Sequence, residues 1–230
     1  VAISDLRDFR DPNGDQITLA GLENNPYWIL NESPYTTGRE RIFGSAELGF
    51  QPIDVLELSA RFGTDYYSED RESVFGVGSL GNLGGAFGED NYQERQVDID
   101  FIANYDQDLT DDINVNLLLG NNINYRSYQR RSNSSSELAG AGLYAYANAT
   151  SNTPTNFFSQ QSLVGVFGTA TFGFRDYVFA EVTGRNDWSS TLPKANNSYF
   201  YPSLNLSLVV SDFLEEEFDL ETDVLSYAKV

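Results

Sequence analysis

Residues 55–67 read VLELSARFGTDYY. Leu56, Leu58, Ala60 and Phe62 fall on one parity, and Glu57, Ser59, Arg61 and Asp65 on the other. A period of two is what a β-strand needs to place one apolar and one polar face, and no helical stripe fits the spacing. The stretch just before it, Arg41 to Gln51, repeats the pattern with Ile42, Ala46, Leu48 and Phe50 against Arg41, Ser45, Glu47 and Gln51. Two such runs joined at Pro52-Ile53-Asp54 predict an antiparallel hairpin.

The pattern continues. Asn91 to Tyr105 carries Val97, Ile99, Phe101 and Ala103, opposite Asp98, Asp100 and Asn104. Ile113 to Arg126 carries Val115, Leu117 and Leu119, opposite Asn114, Asn116, Asn122 and Asn124. Ser162 to Phe174 and Val178 to Asn186 form a third pair. Ser198 to Leu208 places Phe200, Leu204, Leu206 and Leu208 against Tyr199, Ser203, Asn205 and Ser207. Seven strands are expected, all antiparallel.

The expected connections alternate in length. Short links lie at Pro52–Asp54, Asp106–Asp112 and Arg175–Asp176; long ones run over Ser68–Asp90 and Ser127–Gln161, with a middling one over Asp187–Asn197. Short turns on one rim and long loops on the other point to a transmembrane β-barrel rather than a soluble sandwich. Pairing Phe50 with Leu56, Tyr105 with Ile113 and Phe174 with Val178 keeps the apolar phase only if each turn holds an odd number of residues. Aromatic residues cluster at both rims, Phe50, Tyr105, Phe174 and Tyr177 at the short turns and Tyr66, Tyr67, Tyr92, Tyr125, Trp188 and Tyr199 at the long loops, as membrane girdles do. The lipid-facing set is then Leu56, Leu58, Phe62, Ile99, Phe101, Val115, Leu117, Phe172, Leu204 and Leu206. Arg61, Asp98, Asn116 and Asn122 face the lumen.

Composition narrows the chemistry. The 230 residues hold no Cys and no His, which removes thiolate metal sites, Cys nucleophiles and the commonest general base. A net charge of −20 disfavours nucleic-acid binding and places a solvated acidic surface first. Acidic turns and loops also suit divalent ions bridging to anionic lipid headgroups. No apolar run reaches the length of a membrane helix, and mean hydropathy is −0.37, which leaves a barrel open. The chain opens without Met or a leader and stops at Tyr227-Ala228-Lys229-Val230, so a piece of a longer protein is expected.

Residues 1–40 are less regular. Asp11-Pro12-Asn13-Gly14-Asp15, Asn24-Asn25-Pro26 and Ser33-Pro34 are breaks, and this region reads as a long extracellular loop, with the barrel wall over 41–230. Ser132–Ser136 reads as a mobile loop tip. Asp11, Asn13 and Asp15 have the spacing of oxygen ligands, but Gly14 comes too early for an EF-hand and no distal Glu follows, so Ca²⁺ has weak support and no cofactor is expected. Asp106, Asp108, Asp111 and Asp112 read as a solvated turn. Gly76-Val77-Gly78-Ser79-Leu80-Gly81 fits a dinucleotide fingerprint, yet Asn82-Leu83-Gly84-Gly85 is a poor helix start, so a loop is the simpler reading. Glu215-Glu216-Glu217 reads as a charged face between strands. Tyr27, Trp28, Tyr144 and Tyr146 lie in outer segments, where aromatic faces stack on sugars, meet peptides or pack within their own loops.

Certain words carry a resemblance. Thr183–Pro193 (TGRNDWSSTLP) followed by Ser198–Ser203 (SYFYPS) resembles the barrel of SusC/RagA-type TonB-linked outer-membrane transporters. Asn25–Trp28 (NPYW), Arg41–Gly44 (RIFG), Leu163–Gly168 (LVGVFG) and Leu225–Lys229 (LSYAK) are similar to other stretches of that family. The resemblance implies part of a barrel of about 22 strands with a plugged lumen. It also implies TonB-powered import of oligosaccharides or peptides under a SusD-like lipoprotein lid, in a Bacteroidetes-like outer membrane, and no enzymatic activity. The family's plug, N-terminal extension and TonB-contacting segment have no counterpart among these residues. Two other readings stand beside it: a passive porin with the same strand code, and a soluble or surface-attached β-rich binding module.

Overall fold

The computed structural model describes residues 3–218 and residue 229. Among them, seven strands follow one another: β1 (Tyr35–Ile53), β2 (Leu56–Phe75), β3 (Ala86–Thr110), β4 (Ile113–Leu138), β5 (Ala149–Phe174), β6 (Val178–Ser189) and β7 (Ser198–Leu208). Each pairs with the next in chain order, giving one antiparallel meander. Short helices stand outside it: α1 (Ile3–Leu6), α2 (Pro26–Glu32) and α3 (Val210–Phe218).

The strand faces keep the expected phase. Phe174 pairs with Val178 and Phe172 with Ala180, so the third turn has three residues, as parity demands. The first two turns differ, because the strand ends leave only Asp54-Val55 and Asp111-Asp112 between them. Yet Glu47 still meets Arg61, and Asp98, Asp100 and Asp106 meet Asn124, Asn122 and Asn116 in step. The extra residue that preserves phase is therefore absorbed within the paired strand ends, as a bulge does, and not in the turn.

The strands also run farther than alternation indicated. β1 begins at Tyr35, β2 continues to Phe75, and β4 continues to Leu138, so the expected long loops shrink to 76–85 and 139–148. Ser132–Ser136 lies inside β4, where Ser135 is fully buried and donates to Asn152 Oδ1 at 2.6 Å. Glu215, Glu216 and Glu217 lie on α3. Of the family-like stretch Leu225–Lys229, only Lys229 is among the described residues, where it bridges to Val209.

The residues cluster into two compact units. One comprises the described parts of 1–42, 66–95 and 127–159. Its core is Trp28, Val74, Ala86 and Phe87, all buried. The helix α2 brings Trp28 there: Asn25 caps it by accepting from the Tyr27 amide at 2.9 Å, and Pro26 occupies its first turn, where no amide is needed. The Trp28 indole donates to Ser79 Oγ at 2.8 Å. Ser79 belongs to the glycine-rich loop 76–85, which is tied by its own backbone bonds, with Gly78, Gly81 and Gly85 at positive φ. No helix follows it, which sets the dinucleotide reading aside.

The second unit comprises the described parts of 43–65, 96–126 and 160–230. Tyr177, 3% exposed, packs edge-on against Phe174 and Phe213, and its hydroxyl donates to Glu217 at 2.6 Å. Arg175 bonds Asp112 and Glu217, both at 2.9 Å, which ties α3 to two turns. Tyr177 is thus a packing residue of the rim, not a girdle residue.

Candidate functional site

Polar strand positions of the second unit form hydrogen-bonded rows. Asp98 accepts from Asn124, Asp100 from Asn122, and Asp106 from Asn116 at 2.7 Å. Asn114 adds a bond to Asp108 at 3.0 Å. Farther along, Thr171 and Asn205 both donate to Glu181, and Thr169 meets Thr183 at 3.3 Å. Arg61 pairs with Glu47 at 3.2 Å. The four residues expected on the polar face, Arg61, Asp98, Asn116 and Asn122, all belong to these rows. Carboxylates alternating with amides make a wall that stays hydrated while each charge keeps a donor.

Two glycines shape this wall. A Cβ on Gly165 would lie 2.3 Å from the Arg185 guanidinium, and one on Gly120 would lie 2.2 Å from the Phe167 ring. Bare backbone there lets Arg185 sit over Phe167, 5.3 Å from its centroid, and reach Asp187. The sequence words that signalled a family therefore encode a packed cluster.

Interleaved positions are apolar and open. Among the expected set, Leu58, Phe62, Phe101, Leu117, Phe172, Leu204 and Leu206 are exposed and Leu56 and Ile99 half-buried; Val115, expected to be open to lipid, is instead buried among its neighbours. β6 places Val178, Ala180 and Val182 beside Leu208, Leu206 and Leu204 of β7. An apolar surface this extensive does not face water in a monomeric soluble domain.

The first unit holds a charged network that alternation did not reveal. Glu69, 3% exposed, accepts from Arg71 at 2.6 Å, Thr37 at 3.2 Å and Arg39 at 3.3 Å. Arg71 and Arg130 lie on the Tyr92 ring at 4.5 Å and 5.2 Å, and Arg130 bonds Asp90 at 2.8 Å. The Arg71 hydrogen bond, against the penalty of burial, holds Glu69 below the usual carboxylate range. Burial works against the charge of Asp90, but bonds from Arg130 and Ser132 hold it low as well. Tyr92 is a cation platform here.

The remaining candidates separate cleanly. Asp11 Oδ1 accepts from the Asn13 and Asp15 amides, both at 2.9 Å, so this carboxylate closes its own turn. Among the described residues no group of three acidic, His or Cys side chains could hold a metal. Trp28, 2% exposed, is core, so of its expected roles packing within its own segment holds and ligand contact does not. Tyr27 and Tyr144 are half-buried and Tyr144 packs edge-on against Phe87. Tyr146 is exposed, stacks on Phe87 and donates to Glu89.

Comparison with known proteins places this geometry. No curated protein matches the chain. The solved structure of the RagAB peptide transporter matches with a TM-score of 0.80 at 18% identity, over 94% of this chain. The RagAB importer in its closed-closed and open-open states matches with a TM-score of 0.79 in both cases, at 18% identity over 95% of the chain. This chain spans 25% of the length of each of those solved chains. At such identity the likeness establishes the fold. The family model "TonB dependent receptor-like, beta-barrel" matches residues 3–229. With its two-faced strands and that match across its length, the chain belongs to the TonB-dependent receptor β-barrels of the outer membrane.

Proposed function

We propose that the intact protein is a TonB-powered importer of oligosaccharides or peptides, and that this chain supplies part of its wall. The observation that carries the reading is the division of the strands into hydrogen-bonded Asp/Asn/Arg rows on one parity and open apolar side chains on the other. The polar rows line the lumen and the apolar positions meet lipid. Residues 1–40 together with 68–90 and 127–161, outer strand ends included, form the extracellular side, outside the membrane-spanning part of the strands. A SusD-like lipoprotein covers that side, and TonB acts through a plug that these residues do not include. The fold likeness to RagAB, a peptide importer, supports the transport class.

Uptake by cells expressing the intact protein tests this. Labelled peptides or oligosaccharides are expected to enter only while the proton-motive force and TonB are present. Uptake that persists after uncoupling would establish the passive-porin reading instead. Recovery of the intact protein in the soluble fraction would establish the binding-module reading.

A further inference from the structure

A cavity of about 640 Å³ in the first unit is lined mainly by strand positions that alternate with those of the Glu69 network, and Arg71 and Asp90 of that network border it. Gly38, Asp70, Asn91, Asn133 and Asn156, one from each of five successive strands, line it together with Tyr146. Glu69, Tyr92 and Arg130 occupy interleaved positions and do not line it. A cavity built mainly on the parity opposite to the polar network is not a stop on a path through the barrel.

Its surroundings select an occupant. Within the same unit, the alternation that aims Gly38 and Asn156 at the cavity also carries Ile42 and Phe158, 72% and 55% exposed. Phe158 follows Asn156 by two residues and Ile42 follows Gly38 by four, which is about 7 and 13 Å along a strand. Two exposed apolar side chains, on the first and fifth of the strands that line the cavity, thus share its side at the spacing of an amphiphile. The lining is rich in acceptors, with Asp70, Glu72, Glu89 and Asp90 against Arg71 and Arg131. Such a surface repels a bare phosphate and accepts hydrogen bonds from hydroxyls. Asn91 donates to Asp70 at 2.6 Å, which orients its amide, and the exposed Tyr146 ring, held by Phe87 and Glu89, offers an apolar face for a sugar ring. A volume of this size suits a drug-sized head rather than a single ion.

We propose that this cavity binds the sugar head of an outer-leaflet glycolipid whose acyl chains lie along the apolar strand positions. The proposal rests on the reading of those positions as lipid-facing.

Two pure lipids with identical acyl chains, one with a short neutral oligosaccharide head and one without, distinguish the outcomes. Their retention on the intact protein in detergent is measured by native mass spectrometry. The sugar-headed lipid is expected to be retained about tenfold better, the effect of one or two hydrogen bonds. Asn91→Ala and Tyr146→Ala are each expected to erase most of that preference. Equal retention of the two lipids by the unaltered protein would overturn the sugar site even if a variant failed to fold. Competition by the free oligosaccharide at the same concentration as the lipid would overturn the glycolipid in favour of a soluble glycan. An intact protein found outside the membrane fraction would overturn the lipid-facing reading itself, a failure separate from the other two.

Discussion

Glu69 sits where a carboxylate is tolerated only with partners, and it has three: Arg71, Thr37 and Arg39. Since its pKa in the folded chain is depressed, the stability it contributes is present above its unfolded value and is lost as pH falls through the folded one. Protease resistance of the first unit is therefore expected to hold at neutral pH and to fall on acidification below the usual carboxylate range. Glu69→Gln should make resistance lower at pH 7 and flatter with pH, and an unchanged pH profile would count against the network. Trp28 invites a separate test. It fills the core of that unit and its indole hydrogen bond is buried, so Trp28→Ala is expected to cost about 3–5 kcal/mol in denaturant unfolding. A cost under about 1 kcal/mol would mean that Trp28 is not core.

At the scale of elements, the register is the sharpest statement. Thr169 and Thr183 face each other across β5 and β6, with hydroxyl oxygens 3.3 Å apart. The chain has no Cys, so a Thr169→Cys, Thr183→Cys pair can be oxidised without competitors. It is expected to cross-link, whereas Thr169→Cys with Val182→Cys, pointing to opposite faces, should not. Equal cross-linking of both pairs would refute the register. The bounds of β7 were legible in the sequence because its polar–apolar alternation lasts from Ser198 to Leu208. The outer ends of β2 and β4 were not. Their residues 68–75 and 127–138 read SEDRESVF and SYQRRSNSSSEL, where polar side chains dominate both parities, so pairing persists while its hydrophobic signal vanishes. The Glu69 and Tyr92 network lies on or beside those ends and was missed with them. The Asp–Asn rows were foreseen as a face, since Asp98, Asp100, Asn122 and Asn124 repeat at every second position. Their cross-strand partners needed the register that only the paired strands supply.

For the whole molecule, the question is which face meets lipid, and adjacent positions of β7 answer it most directly. Leu206 and Asn205 are neighbours in sequence, yet Leu206 pairs with Ala180 and Asn205 with Glu181, so they lie on opposite faces at nearly the same height. Depth and mobility are thus matched and only the face differs. A fluorophore on Leu206→Cys or Asn205→Cys in the reconstituted intact protein reports on that difference. Lipid-borne nitroxide is expected to quench the label at 206 several-fold more than at 205, and aqueous iodide to show the reverse order. Each hydrophobic surface left open here would favour burial by about 25 cal/mol per Å², so a membrane that covers Leu204, Leu206 and Phe172 gains what water cannot offer. If both labels responded to iodide alone, the apolar positions would be covered by something other than lipid. In that event neither the lumen assignment of Asp98, Asn116 and Asn122 nor the glycolipid cavity beside Ile42 and Phe158 could stand, because each takes its direction from this one face.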